Sequence, residues 1–253
     1  MRYVIRPQHT LTTPAALAAA LHVRSRRWPS KSLRLRPSYT RDFLFTYPED
    51  NRLWETNLNI RETVSTLRTF FQATKFQQRM MLKAWGIPVP WTKGNLHPLT
   101  EARQSPFVVR ALRHWKGQFY RVTNNPNDFR PGYEYISALF PKTREYRIIY
   151  VFGEPLIVLR KHVPEGTSVE APWNHAVGAT FKTVNDLPSC MLSQTDVFER
   201  LRNNPVIRTA HIVGVDVLWN KRGYVICEFN GAPALTIENN VLRVADYIRS
   251  VRG

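Results

Sequence analysis

Asp216, Glu228 and Asn230 place two carboxylates and an amide oxygen within one short C-terminal stretch, VGVDVLWNKRGYVICEFNGAP at 213–233. Such hard oxygen donors suit Mg²⁺ held together with substrate phosphates. Two strand-like runs, Ile212–Leu218 and Tyr224–Phe229, flank a turn at Asn220-Lys221-Arg222-Gly223, so a hairpin is the simple reading. In a hairpin folded at 220–223, positions 216 and 228 come close to facing each other. Strand side chains alternate, so Glu228 and Asn230 share a face. The plainer alternative is a hairpin whose acids meet solvent or Arg222. Flanking apolar residues (Val213, Val215, Val217, Val225, Ile226, Phe229) argue for a buried sheet, where an unpaired carboxylate is expensive.

The rest of the chain must position these residues. Tyr3–Ile5 lies in a first strand over 2–6, and Thr13-Pro14 opens a helix through about Val23. The basic stretch Arg24–Arg41 interleaves cations with Trp28 and Tyr39. It reads as a solvated connector; the functional alternative is phosphate contact and base stacking. Phe43–Tyr47 reads as a buried strand. Asn59–Trp85 is the longest helical region, with a break expected near Ala73, a cap at Gly86 and an extended exit at 87–90. Strands follow at Phe107–Leu112, Tyr120–Val122, Tyr133–Leu139, Thr143–Val151 and Pro155–Arg160. A short helix is expected at Thr195–Asn204 and an amphipathic one at Val241–Val251.

Composition sets the bounds. The chain has 253 residues, enough for a real core in one large or two small domains. No apolar run approaches the ~20 residues of a membrane span. The acid-free start, up to Asp42, has a transit-peptide flavour, but Tyr3–Ile5 already reads as a strand. Cys190 and Cys227 offer no disulfide framework or metal spacing, which fits a reducing cytoplasm. Net charge is +17, from 36 basic and 19 acidic residues. That excess implies an anionic partner: nucleotide, acidic peptide, nucleic acid or membrane surface. There is no P-loop, dinucleotide fingerprint, nucleophile elbow or zinc spacing.

The run GVDVL…RGYVICEFNGAP resembles the C-terminal metal-binding signature of ATP-grasp carboxylate–amine ligases. It is most similar to the branch of ribosomal-protein-glutamate ligases and their phage-borne relatives. The resemblance covers most of the chain and is strongest over 105–235. It implies an α+β chain: a small N-terminal α/β pre-grasp domain and linker at 1–90, then an ATP-grasp domain at 91–253. It implies Mg²⁺, with Mn²⁺ as an alternative, on Asp216, Glu228 and Asn230.

Lys75 occupies a lysine position that in relatives reaches the nucleotide phosphates. Arg110 stands at a strand lysine that meets them, and an arginine keeps the charge while adding a planar fork. His114, Lys116 and Gly117 fall in the covering loop, which in relatives is Gly-rich; here only Gly117 is glycine. Glu134 and Tyr135, or their neighbours, match the adenine-reading hinge. Glu145 and Arg147 match an acid-x-arginine strand whose acid takes the ribose hydroxyls and whose arginine faces phosphates or substrate. The alternative for that pair is a cross-strand ion pair. Lys161 and Asn174 are carried over as phosphate-facing residues.

The implied chemistry is ATP-dependent amide formation through an acyl phosphate, giving ADP and phosphate, with Arg147 and Lys161 stabilising charge. The carboxylate and amine substrates are unnamed by the sequence; peptide or protein fits. No membrane partner is expected. The expected location is cytoplasmic, in the host if phage-encoded. Two other readings stay open: a nucleic-acid-binding protein on a degenerate grasp scaffold, and a ligase acting on a nucleic-acid-associated acceptor.

Overall fold

The computed structural model describes residues 3–6, 24–27, 44–45, 69–94, 106–113, 119–174, 177–184, 201–231, 233, 235 and 238–252. Three sheets organise them. Strands β1 (Tyr3–Arg6), β2 (Arg24–Arg27) and β3 (Leu44–Phe45) form a parallel sheet in the order β2-β1-β3. Arg24–Arg27 was expected in a connector. It contains no apolar residue and hence no period to read, yet its backbone pairs with β1 from Tyr3↔Arg24 to Arg6↔Arg27. The helix expected over 14–23 and residues 28–41 of the basic stretch lie outside the described residues.

A helical turn at 69–72 ends at the expected break, and α1 (Lys75–Ala84) restarts after it. Thr74 caps α1: its hydroxyl accepts from the Gln77 N–H, and the Gln77 side chain accepts from the Thr74 N–H. This reciprocal cap fixes where the helix begins and so the direction of Lys75 and Arg79. Those two are four residues apart and share a helix face.

Short strands β4 (Thr92–Lys93), β5 (Phe107–Ala111), β6 (Arg121–Thr123) and β7 (Glu134–Ala138) make an antiparallel sheet, order β4-β7-β5-β6. Phe107, Val109, Phe129 and Ile136 form its small core, with Trp91 packed on them. The larger sheet is also antiparallel, order β10-β9-β8-β11-β12. Its strands are β8 (Arg144–Val151), β9 (Glu154–His162), β10 (Thr180–Val184), β11 (Ile212–Asn220) and β12 (Gly223–Asn230). Helix α2 (Pro205–Thr209), which the sequence reading lacks, starts from the Asn204 cap, and α3 (Glu238–Arg252) closes the chain. Among the described residues no helix is long and apolar enough to cross a membrane.

Strand alternation gives the larger sheet two different faces. Tyr146, Ile148, Tyr150, Val213, Val215, Val217 and Ile226 pack on one side with Phe70, Leu82, Ile87, Val206 and Ile207. On the other, Ile149, Val151, Ile157, Leu159 and Ile212 pack with Val241, Val244, Ala245 and Ile248 of α3. That second face is only part apolar. Continuing along the same strands, its next residues are Glu145 and Arg147 on β8, Lys161 on β9 and Asp216 on β11. The candidate site is this uncovered half.

Candidate active site

A cleft of about 770 Å³ lies between the two antiparallel sheets. The smaller sheet contributes Val108, Arg110 and the 137–140 stretch. The larger contributes Glu145, Arg147, Lys161, Asp216, Leu218, Glu228 and Asn230. Helix α1 supplies Lys75, Gln78 and Arg79, and the loop after β9 supplies Pro172, Trp173 and Asn174. The volume falls within the range of small-molecule sites.

The acids meet through a bulge. At the turn, Asn220 pairs with Gly223, and the ladder runs regularly to Val217↔Ile226. Continued unbroken, it would set Cys227 opposite Asp216. The register shifts there, leaving Cys227 as the extra residue and pairing Asp216↔Glu228, then Gly214↔Asn230. Ile226 and Phe229 therefore both serve the apolar face, while Glu228 and Asn230 turn to the cleft. The Asn230 amide donates to Asp216 Oδ2 at 3.1 Å.

Each acid faces a cation. Arg147 grips Asp216 through two bonds, Nε to Oδ1 at 2.6 Å and Nη2 to Oδ2 at 2.8 Å. Burial works against the guanidinium charge, but Asp216 outweighs it and the Arg147 pKa rises. Arg147 reaches Asp216 by crossing Gly214: a Cβ there would stand 3.3 Å from Arg147 Cδ and 2.9 Å from Pro233 Cβ. Lys75 Nζ lies 3.5 Å from Glu228. Lys161 binds the Glu145 carboxylate, and Glu145 is buried at 7% exposure. Burial raises the Glu145 pKa; Lys161 draws it back and the Asp216 charge adds to the rise. The Phe181 ring centre is 4.8 Å from the Arg147 guanidinium carbon and 5.1 Å from Lys161 Nζ.

Other expected residues fare differently. Arg110 lines the cleft, and its Nε is buried without a partner. Its guanidinium carbon lies 5.9 Å from the Tyr120 ring centre. Burial pushes the Tyr120 hydroxyl up to about 12, and that hydroxyl donates to the Glu170 carbonyl. Asn174 lines the cleft and accepts from the Val177 N–H at 3.3 Å. His114, Lys116 and Gly117 lie outside the described residues.

Glu134 and Tyr135 do not line the cleft. The wall lies downstream, at Ser137, Ala138, Leu139 and Phe140. All of β7 pairs with β5, from Ala111↔Glu134 to Phe107↔Ala138, and the Tyr135 side chain is buried against Arg79. The Glu134 carboxylate accepts from the Arg130 N–H at 2.7 Å and from Arg121 at 3.3 Å.

Three cleft cations were not anticipated: Lys142, Arg79 and the exposed Arg113. Lys142 is buried, donates to the Ala171 carbonyl at 2.9 Å and sits 5.0 Å from the Trp173 ring centre. Burial lowers its pKa. It stands between strands, in Pro141-Lys142-Thr143, where no periodicity marks it. Arg79 had a signal, its i,i+4 spacing from Lys75. Cys227 also lines the cleft, and burial raises its pKa, keeping it a thiol.

The donor set is sparse. Among the described residues no group of three or more His, Cys, Asp or Glu is placed to hold a metal. Two opposed carboxylates and an amide oxygen suit an ion that keeps water and phosphate ligands, as Mg²⁺ does. The unpartnered Arg110 Nε suits an oxyanion. A phosphorylated ligand with a divalent cation fits these residues.

No family model matches the sequence, and no curated protein is similar to it. Solved structures are. The ligase PsnB, complexed with a phosphomimetic variant of its minimal precursor, Mg and ADP, matches with TM-score 0.63 and 13% identity, over 100% of this chain and 98% of that one. D-alanine–D-alanine ligase from Bacillus anthracis, complexed with ATP, gives 0.62 and 13%, over 100% and 97%. A RimK-domain ATP-grasp protein from Sphaerobacter thermophilus gives 0.62 and 14%, over 98% and 99%. The chain has the ATP-grasp fold.

Proposed function

We propose that the chain is an ATP-dependent carboxylate–amine ligase. The carrying observation is the bulged β11–β12 hairpin, which sets Asp216, Glu228 and Asn230 into one corner of a cleft rich in cations. The neighbours support this reading by their contents: PsnB was solved with Mg and ADP, and the D-alanine–D-alanine ligase with ATP. PsnB was also solved with its precursor peptide and AMPPNP. A peptide or protein carboxylate is the favoured substrate class here.

Asp216, Glu228 and Asn230 would hold Mg²⁺. Bound there, the ion would neutralise phosphate charge. Arg110 would meet a phosphate oxygen through its unpartnered Nε. Lys75 and Arg147, bound here to acids of the metal corner, would be freed to face the triphosphate once a divalent ion compensated those carboxylates. Ser137–Phe140 would receive the base. In the reaction, a carboxylate oxygen attacks the γ-phosphorus, the bond to the β-phosphate oxygen breaks, and ADP leaves. An amine nitrogen then attacks the acyl carbon, phosphate leaves with the bonding pair, and the nitrogen loses a proton. Arg147 and Lys161 would stabilise the developing negative charge.

Calorimetric titration of ATP with and without Mg²⁺ tests the binding, and an ADP-release screen over carboxylates and amines tests the chemistry. Binding should require Mg²⁺ and be lost in Asp216→Ala. Glu228→Gln should lower ADP release by roughly 100-fold or more with unchanged circular dichroism. Unchanged ADP release by that variant would remove the metal assignment.

A further inference from the structure

Arg79 is 7% exposed, yet it lines the cleft. Among the described residues no carboxylate lies within salt-bridge reach of it. Its guanidinium has two hydrogen-bond partners, both neutral and both distant: Thr92 Oγ1 at 3.4 Å and Cys227 Sγ at 3.9 Å. Sulfur is a weak acceptor, and the Thr92 hydroxyl itself donates to the Pro90 carbonyl at 2.7 Å. The Tyr135 ring, 5.3 Å from the guanidinium carbon, completes the surroundings. The nearby Glu228 carboxylate is engaged by Lys75. Burial works against the charge, but the fields of Tyr135, Cys227 and the nearby Glu228 outweigh it and the Arg79 pKa rises. The guanidinium stays charged while its own donors reach only weak neutral acceptors, which leaves them open to a stronger one.

The cleft as a whole has the same imbalance. Seven cations line it against three carboxylates, a formal net charge of +4. Each of the three carboxylates already has its own cation: Lys75 on Glu228, Arg147 on Asp216, Lys161 on Glu145. The surplus sits on Arg79, Arg110, Lys142 and Arg113. Beside Arg79, Gln78 is 5% exposed with a partnerless Oε1. Gln78 and Arg79 both border a small void of about 10 Å³, close to the size of one water, which opens beside Cys227 and Glu228. An arriving oxyanion would complete the guanidinium, and a water accompanying it would give Gln78 its missing donor.

We propose that Arg79 is an anion-binding residue of the cleft floor, and that its ligand is an oxyanion: a phosphate oxygen or a carboxylate. The site is carried by α1, apart from the strand-borne cations. It does not depend on the ligand being a nucleotide.

The test uses thermal shift on the full chain with two probe anions, tripolyphosphate and succinate, and with magnesium-ATP alongside. Wild type should be stabilised by at least one probe anion. Arg79→Met, which keeps the volume and removes the charge, should weaken that response about tenfold or more. Its circular dichroism without ligand should match that of wild type, which separates loss of binding from loss of fold. Loss confined to tripolyphosphate assigns the site to a phosphate; loss confined to succinate assigns it to a carboxylate. Should Arg79→Met not fold, Arg79→Lys carries the test: it keeps the charge, loses the fork, and should weaken the same response. An undiminished response in these variants, or no response of wild type to either anion, overturns the proposal. A wild type that answers tripolyphosphate through Arg79 but ignores magnesium-ATP leaves this site standing and removes the ligase reading. Magnesium-ATP binding with every Arg79 variant unchanged does the reverse.

Discussion

At the scale of single residues, Glu145 carries the clearest pH signature. Burial raises its pKa above the ordinary value of 4.5, despite Lys161. A carboxyl shifted upward in the fold favours folding when protonated. Its contribution is fully present below the unfolded value and is lost as pH rises through the folded one. The stability advantage of wild type over Glu145→Gln should therefore shrink as pH climbs from 4.5 upward. Urea midpoints of both proteins across that range check this; a difference independent of pH would mean that Glu145 does not titrate as its burial implies. Asp216 could be singled out from the residues of the hairpin, whereas Glu145, Arg147 and Lys161 were reached through the family resemblance. Their pairing with one another was not legible, since it depends on which strands become neighbours. Lys142 and Arg79 were missed for a different reason. An isolated cation in a connector looks solvated until the fold buries it, and the i,i+4 spacing of Arg79 from Lys75 marks a shared face without saying that the face is buried.

The elements show how a small irregularity sets the chemistry. Turn residues at 220–223 announce the hairpin, and alternation announces its faces. The extra residue at Cys227 has no local signal; a β-branched or apolar neighbour would read the same way in a regular ladder. Hairpin counting brings 216 and 228 near each other, but only the paired register shows that an extra residue at Cys227 is what sets Glu228 opposite Asp216. The Arg24–Arg27 strand and the two-residue β4 escaped notice because parallel or edge pairing of so few residues needs only backbone. The β8–β11 pairing also makes a demand of its own. Arg147 lies across Gly214, so Gly214→Ala should push the guanidinium off Asp216 and strain the contact with Pro233. A loss of about 1–3 kcal/mol in denaturant titration is expected, as for overpacking of a close contact, together with weaker nucleotide binding. Full stability in that variant would mean that Pro233 yields freely.

For the whole molecule, the charge of +17 exceeds by far what the cleft contains. The remainder spreads a positive field that should hasten the approach of any anionic ligand. The association rate of a fluorescent ATP analogue should fall by about tenfold between low salt and a few hundred millimolar, while its dissociation rate changes little. A salt-independent association rate would confine the relevant charge to the cleft. The larger sheet adds a consequence of another kind. On β8, Ile149 belongs to the packing under α3 and Arg147 belongs to the site, one alternation step away. Leu159 and Lys161 on β9 repeat that border. The cleft wall is thus an uncovered length of the same surface that holds the protein together. The frontier between them can move only in steps of two residues. Any change that lengthened the cleft along these strands would have to surrender a row of core to do so.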